Sequence, residues 1–128
     1  MSGTQYQPGV CNIGGAEVKR RKQVFQLGAV AFVALAIYLD MKGADAQSGL
    51  VAFIPAMIAA VGYVQSRKKF CFAFGLMGTF NFAEAGKMSK VVSPAEIAAD
   101  RKQAIKIIGQ SIGLASIATL VLLAFLAL

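Results

Sequence analysis

Residues 19–41 read KRRKQVFQLGAVAFVALAIYLDM, four cations followed by an apolar run that carries no charge before Asp40. Two more apolar runs follow, GLVAFIPAMIAAVGYV at residues 49–64 and IIGQSIGLASIATLVLLAFLAL at residues 107–128. A hydrocarbon core of about 30 Å is crossed by roughly 20 helical residues, which the first and third runs provide and which the second reaches if its helix continues to Lys68. The sequence therefore predicts an all-α membrane protein with three transmembrane helices.

The distribution of charge predicts how these helices are oriented. Of the 13 Lys and Arg residues, only Lys42 lies between the first two runs, next to Asp40 and Asp45. By the positive-inside rule the amino terminus and the long middle loop are cytoplasmic, and the carboxyl terminus reaches the far side. The cations beside the spans are expected to contact lipid headgroups: Lys19, Arg20, Arg21, Lys22, Arg67, Lys68 and Lys69.

Composition indicates one small membrane domain. The 128 residues are 57% hydrophobic, and their mean hydropathy is +0.64, which is too apolar for an ordinary soluble domain. The net charge of +7 lies beside the ends of the spans, so lipids are expected as partners and nucleic acid is not. We expect a polar arm at residues 1–14, helices at 15–41, 48–74 and 94–128, and a cytoplasmic interfacial loop at 75–93.

Local signals predict where the helices begin. Asn12 and Ser48 are candidate N-caps of the first two helices, and Pro55 predicts a bend in the second. Ser93 and Glu96 enclose Pro94 in the pattern of a capping box.

The third helix is expected to be long and to extend from the membrane into the cytoplasm. No helix breaker follows Pro94 until Gly109. Glu96 and Asp100 lie four residues apart in this cytoplasmic part, and we interpret them as a solvated face; a docking surface is the alternative. One helix from 94 to 128 would then be roughly 50 Å long.

The stretch FCFAFGLMGTFNF at residues 70–82 is unusually rich in phenylalanine and is too short to cross a membrane. We expect the second helix to continue to Phe74, a turn at residues 75–78, and then a return against the bundle or the headgroups. A strand is the alternative, but a lone strand would have open edges at membrane depth. The residues expected at this interface are Phe70, Phe74, Phe80, Asn81 and Phe82.

Two cysteines, Cys11 and Cys71, are the candidates for chemistry. Both are expected on the cytoplasmic side, where a structural disulfide is disfavoured. The chain has no histidine, so no zinc site, bis-histidine haem or His-based catalytic dyad is expected within one subunit. The acidic residues form no paired set, and no charged residue lies well inside the runs. We therefore expect no enzyme activity and no cofactor.

Small residues in the third run predict close helix packing. Gly109 and Gly113 form a GxxxG pattern that Ser116 continues, and Ser111 and Ala115 belong to a neighbouring small face. Such a face can pack on the other spans of this chain or on another membrane protein.

Two blocks of sequence resemble a known family. They are CNIGGAE at residues 11–17 and the Phe-rich stretch at residues 70–82. Together they resemble a family of small bacterial inner-membrane proteins to which no function is assigned. The resemblance implies a bacterial source and the inner membrane. Since both blocks are expected on the cytoplasmic side, we hypothesise that they meet and bring Cys11 and Cys71 near each other.

The leading functional hypothesis is a non-catalytic accessory, structural or assembly subunit of a larger bacterial inner-membrane complex, with other membrane subunits as partners. One alternative is a redox-responsive or metal-dependent membrane protein that uses Cys11 and Cys71. Another is a homo-oligomeric channel or carrier. The first predicts co-purification with other membrane proteins, the second a phenotype of cysteine substitution, and the third a self-oligomer with conductance.

Overall fold

The computed structural model describes residues 6–82 and 89–128. The elements in chain order are α1 (Gly15–Met41), a 3₁₀ helix (Gln47–Ala52) that leads directly into α2 (Phe53–Lys68), the short α3 (Phe72–Met77), strands β1 (Thr79–Phe80) and β2 (Ser89–Lys90), and α4 (Pro94–Ala127).

Among the described residues, three helices are long and apolar enough to cross a membrane, as the three apolar runs predict. They are Gly15–Met41, the continuous unit Gln47–Lys68, and Pro94–Ala127. Their outward side chains are apolar, and Leu27, Val30 and Val121 are each more than 60% exposed. A soluble bundle would bury such a surface, whereas a hydrocarbon environment stabilises it.

Glycine and alanine allow α1, α2 and α4 to approach closely. A Cβ placed on Gly28 of α1 would lie 2.5 Å from the backbone nitrogen of Ala59, and one placed on Gly62 of α2 would lie 2.5 Å from that of Phe25. On the other side of α2, Ala60 packs in a cluster with Ala115 of α4. The backbones of α1 and α2 are so close at Gly28 and Gly62 that only a hydrogen atom fits as the side chain at these two positions.

The small-residue face that α4 buries differs from the GxxxG pattern. Ser111 and Ala115 are buried, whereas Gly109 and Gly113 face outward, where a Cβ added to either would meet no atom within 4 Å among the described residues. Ser116 is half-buried. The sequence allows the GxxxG face to pack either within this chain or on another protein. Packing of Gly109 and Gly113 within this chain is wrong, because the neighbouring face of α4 is the one turned toward α2.

The second helix ends earlier than the expected residue 74. Its last residue is Lys68, and Lys69 adopts a left-handed conformation with φ of 54°. A left-handed non-glycine residue costs about 1–2 kcal/mol. The turn places Phe70 at 0% exposure against Ile107 and Ala104 of α4, and burial of a phenylalanine contributes about 1.5–3 kcal/mol. Burial of Phe70 therefore offsets the cost of the strained turn.

The Phe-rich segment also differs from the expected turn at residues 75–78. It forms α3, which includes Gly75 and ends at Gly78 with φ of 71°. Strand β1 follows and pairs antiparallel with β2, so the strand that was expected to be disfavoured does form. Strand β2 pairs with one edge of β1, and Asn81, the residue after β1, forms a bridge with Ile13. The rest of the expected loop, at residues 83–88, lies outside the described residues.

Two of the expected caps are wrong. Gly14, and not Asn12, is the N-cap of α1. At the start of the second span, Asp45 accepts hydrogen bonds from both the backbone N–H and the hydroxyl of Ser48, at 3.0 and 2.7 Å. An acidic acceptor is available one turn earlier, so Ser48 donates to it and does not cap. Ser93 is the N-cap of α4 with Pro94 following it, but its side chain makes no capping hydrogen bond.

The first turns of α4 are covered by other parts of the chain. Asp100 is 0% exposed, which contradicts the expected solvated face. Gly9 lies against Ala99, and Gly78 at the end of α3 lies against Ile97. Residues 6–14 therefore pack on α3 and α4, and the arm expected at residues 1–14 is a folded segment over the part that the structure describes.

The glycines supply a test of this packing. Gly28→Ala and Gly62→Ala should each lower the free energy of unfolding by about 1–3 kcal/mol, because the added methyl group meets backbone atoms. Gly109→Ala is the matched control and should raise it by up to about 1 kcal/mol, since alanine is the better helix former. Thermal unfolding of the purified variants in one detergent measures the difference. Equal unfolding temperatures for the three variants would contradict the close packing of α1 on α2 at Gly28 and Gly62.

Candidate functional site

Residues 11–17 and the Phe-rich stretch at residues 70–82 meet in the fold. The side chain of Asn12 donates from Nδ2 to the carbonyl oxygen of Cys71 at 3.1 Å and accepts from the N–H of Cys71 at 2.7 Å. Residues 70 and 71 connect α2 to α3. The N–H of Phe70 still donates to the carbonyl of Gln65 at 3.1 Å, and the carbonyl of Cys71 accepts from the N–H of Gly75 at 3.0 Å, but the N–H of Cys71 has no backbone acceptor among the described residues. A buried backbone group needs a partner, and Asn12 supplies the acceptor for the Cys71 N–H and a second donor to the Cys71 carbonyl.

Asn81 makes the equivalent connection from the other end of the Phe-rich segment. Its backbone N–H donates to the carbonyl of Asn12 at 2.9 Å, and its carbonyl accepts from the N–H of Gly14 at 2.8 Å. Its Nδ2 donates to Oε2 of Glu17 at 3.0 Å. The segment 12–14 is therefore held between residues 69–71 and residue 81.

A buried ion pair lies beneath this contact, in the first turns of α1. Glu17 is 1% exposed, and its Oε1 lies 3.0 Å from Nη1 of Arg21. The Nη2 atom of Arg21 donates to the sulfur of Cys71 at 3.1 Å, and the guanidinium lies 6.0 Å from the centroid of the Phe74 ring. We call the five residues Asn12, Glu17, Arg21, Cys71 and Asn81 the polar junction.

The two cysteines are both free and buried, and their sulfur atoms contact different groups. The Cys11 thiol donates to the carbonyl of Ile13 at 3.5 Å, whereas the Cys71 sulfur faces Arg21. Burial raises the pKa of the Cys11 thiol above its ordinary value, which lowers its reactivity near neutral pH. The blocks thus meet as hypothesised, with each thiol in its own surroundings.

A second polar contact ties the amino-terminal segment to α4. The hydroxyl of Tyr6 donates to Oδ2 of Asp100 at 2.6 Å, and the N–H of Gly9 donates to Oδ1 at 2.7 Å. The Tyr6 ring stacks on Phe80 with centroids 4.7 Å apart. Asp100 thus joins residues 6–9 to the first turns of α4.

The other predicted site residues have varied surroundings. Phe70 and Phe74 are buried, whereas Phe80 and Phe82 are half-buried beside the amino-terminal segment. Arg21 belongs to the polar junction, which corrects its expected place among the headgroup cations. The remaining headgroup cations are exposed: Lys19, Arg20, Lys22, Arg67, Lys68 and Lys69.

Chemically, the polar junction is a packed tertiary contact. Each of its five residues is buried or nearly so and is in contact with another member of the set. Over residues 6–82 and 89–128, no three His, Cys, Asp or Glu side chains lie close enough together to hold a metal ion.

Sequence reasoning found the cysteines and missed the residues that bind around them. The sequence predicts Asn12 as a cap and Asp100 as a solvated acid, and it gives Glu17 no buried partner. A usable signal was present, because Asn12 and Asn81 are amides set among apolar residues within the two blocks. A buried amide is expected to hydrogen-bond to backbone groups.

Asn12→Ala tests the contact with Cys71. We expect it to lower the free energy of unfolding by about 1–3 kcal/mol, because the buried N–H of Cys71 loses its acceptor, while the Cys71 carbonyl keeps the hydrogen bond from the N–H of Gly75. Gln23→Ala, at an exposed amide of α1, is the matched control and should change stability by less than about 0.5 kcal/mol. Thermal unfolding in detergent gives both values; an Asn12 variant as stable as the control would contradict the contact.

The Tyr6–Asp100 contact predicts a pH dependence. Burial and the adjacent carboxylate raise the pKa of the Tyr6 phenol above its ordinary value. The neutral phenol is therefore favoured by folding, and its contribution is complete below about pH 10 and is lost as the pH rises further. Subtracting the tyrosinate absorbance of Tyr6→Phe from that of the native chain leaves the contribution of Tyr6. This difference should titrate with a midpoint above about pH 10. In an Asp100→Asn background the midpoint should fall toward this ordinary value; a native midpoint at or below it would refute the contact.

No model of a protein family matches this chain, and neither a curated protein nor a solved structure does. The resemblance to small bacterial inner-membrane proteins therefore stays a prediction from the two blocks of sequence. In the fold these blocks supply four of the five residues of the polar junction, and Arg21 is the fifth.

Proposed function

We propose that this chain is a non-catalytic accessory or assembly subunit of a larger complex in the bacterial inner membrane. Its basic end, formed by residues 6–22, 65–82 and 89–106, is placed in the cytoplasm by the positive-inside rule. The outer face of α4 is the surface on which a helix of another membrane protein packs. The observation behind this proposal is the exposure of Gly109 and Gly113 on that face.

The exposed glycines need an explanation because they weaken the helix that contains them. Each glycine in a helix interior costs about 1 kcal/mol relative to alanine. Gly28 and Gly62 offset that cost through close contact between α1 and α2. Gly109 and Gly113 have no comparable contact among the described residues, and the close approach of a helix from another chain would offset it.

The state of the thiols favours this function over the redox alternative. Cys11 is 7% and Cys71 is 3% exposed, whereas redox-sensing thiols are accessible and have a low pKa. The raised pKa of the Cys11 thiol points the same way. Both cysteines are suited to a structural role inside the packed basic end.

Purification of the tagged native protein in mild detergent, followed by native electrophoresis and mass spectrometry, tests the proposal. We expect a stoichiometric complex with another membrane protein. Gly109→Leu should reduce the recovered partner at least tenfold, which corresponds to about 1.4 kcal/mol, because leucine holds the two helices apart.

Ala31→Leu is the matched control, since Ala31 is an exposed small residue on α1, and it should leave recovery unchanged. A band that contains only this chain would overturn the proposal, and a self-oligomer in that band would favour the channel or carrier. Equal loss of the partner in both variants would assign the effect to general destabilisation and overturn the role of the α4 face.

A further inference from the structure

An apolar groove runs along one face of α2, between α1 and α4. At the basic end a cavity of about 420 Å³ lies between α2 and α4 and is bordered by Arg67, Lys68 and Gln110. A second cavity of about 340 Å³ continues away from the basic end, toward Ala56 of α2 and Phe32 of α1. The two cavities share Tyr63 and Leu114 as walls.

The dimensions of this groove fit one leaflet of a bilayer. At 1.5 Å per residue, the part of α2 from Lys68 to Ala56 is about 18 Å long. Half of a hydrocarbon core of about 30 Å is about 15 Å. The groove therefore begins at the headgroup region, where the apolar run of α2 ends, and reaches the middle of the membrane.

Charge is concentrated at one end of the groove. Arg67 and Lys68 are both exposed, and among the described residues neither has a carboxylate within 4 Å. The guanidinium of Arg67 lies 5.9 Å from the centroid of the Tyr63 ring, which holds it over the mouth of the groove. An aromatic contact of this kind leaves the guanidinium N–H groups at the edge of the plane able to bind a phosphate.

We infer that the groove binds one anionic phospholipid of this leaflet. Its phosphate lies on Arg67 and Lys68, and one acyl chain follows the apolar walls past Tyr63 and Leu114 toward Ala56. The side-chain amide of Gln110 lies at the level of the glycerol esters and can donate to them. Gly113 keeps the wall open, since a Cβ there would meet no atom within 4 Å among the described residues.

The absence of tryptophan from the chain allows a direct test. A single tryptophan at the groove, introduced as Ile117→Trp, reports on brominated lipid that comes into contact with it. The full-length protein is reconstituted into phosphatidylcholine bilayers that contain a small fraction of brominated lipid, either phosphatidylglycerol or phosphatidylcholine. We expect brominated phosphatidylglycerol to quench the fluorescence at least threefold more strongly than brominated phosphatidylcholine at the same fraction.

Two controls separate this site from a general enrichment of anionic lipid around a basic protein. Leu27→Trp places the reporter on α1, at a side chain that is 71% exposed and borders neither cavity; there the two lipids should quench alike. Replacing Arg67 and Lys68 together by glutamine should abolish the preference at position 117, whereas Lys102→Gln with Lys106→Gln removes the same charge elsewhere and should preserve it.

Equal quenching of Trp at position 117 by the two lipids would overturn the inference, as would a preference that survives loss of both Arg67 and Lys68. A preference of the same size at positions 27 and 117 would likewise overturn it and leave only nonspecific attraction. None of these measurements requires a protein partner, so the result is independent of the function proposed for the outer face of α4.

Discussion

The basic end of this protein depends on one hydrogen-bonding constraint, the need to satisfy the backbone of residues 69–71 after the chain leaves α2. The left-handed turn at Lys69 allows Phe70 to pack under α4, but it leaves the N–H of Cys71 without a backbone acceptor among the described residues. The side chain of Asn12 completes the hydrogen bonds of Cys71, and the carbonyl of Lys69 accepts from the N–H of Asn12 at 3.1 Å. The amino-terminal segment is therefore part of the core of this end, because without it the buried N–H of Cys71 would lose its acceptor and the carbonyl of Lys69 its donor.

The apolar spans and the basic end are stabilised by different kinds of interaction. Within the spans the helices pack through glycine and alanine, so that backbone contact replaces the hydrophobic driving force that lipid removes. At the basic end, large rings cover a buried ion pair and two amides, with Phe74 beside Arg21 and Tyr6 on Phe80. A buried pair such as Glu17 and Arg21 contributes little net stability by itself, but loss of one partner is costly. The junction therefore fixes a single arrangement of segments that have few regular hydrogen bonds of their own.

The sequence predicts the helices better than it predicts the contacts between them. Length and apolarity are local properties, and the three long helices follow from them, including the start of α4 at Pro94. The end of α2 could not be predicted locally, because the left-handed Lys69 depends on burial of Phe70 by a helix some forty residues away. The role of Asp100 was hidden for the same reason, since its partners Tyr6 and Gly9 lie at the other end of the chain. Periodicity showed two small faces on α4 and could not decide which of them meets α2.

The arrangement of α4 links the two proposals physically. Its buried face, with Ser111 and Ala115, contacts this chain, its outer face has Gly109 and Gly113, and its flank forms a wall of the lipid groove. Gly113 belongs to both the outer face and the groove, so a partner helix and a bound acyl chain would be direct neighbours there. Two ligands that touch must affect each other's binding, and the coupling is reciprocal: a lipid that raises the affinity for the partner is itself held more tightly in the complex by the same factor. Gly113 adds no side chain between the partner helix and the acyl chain. The size of the coupling therefore depends on how closely the partner helix and the acyl chain approach each other.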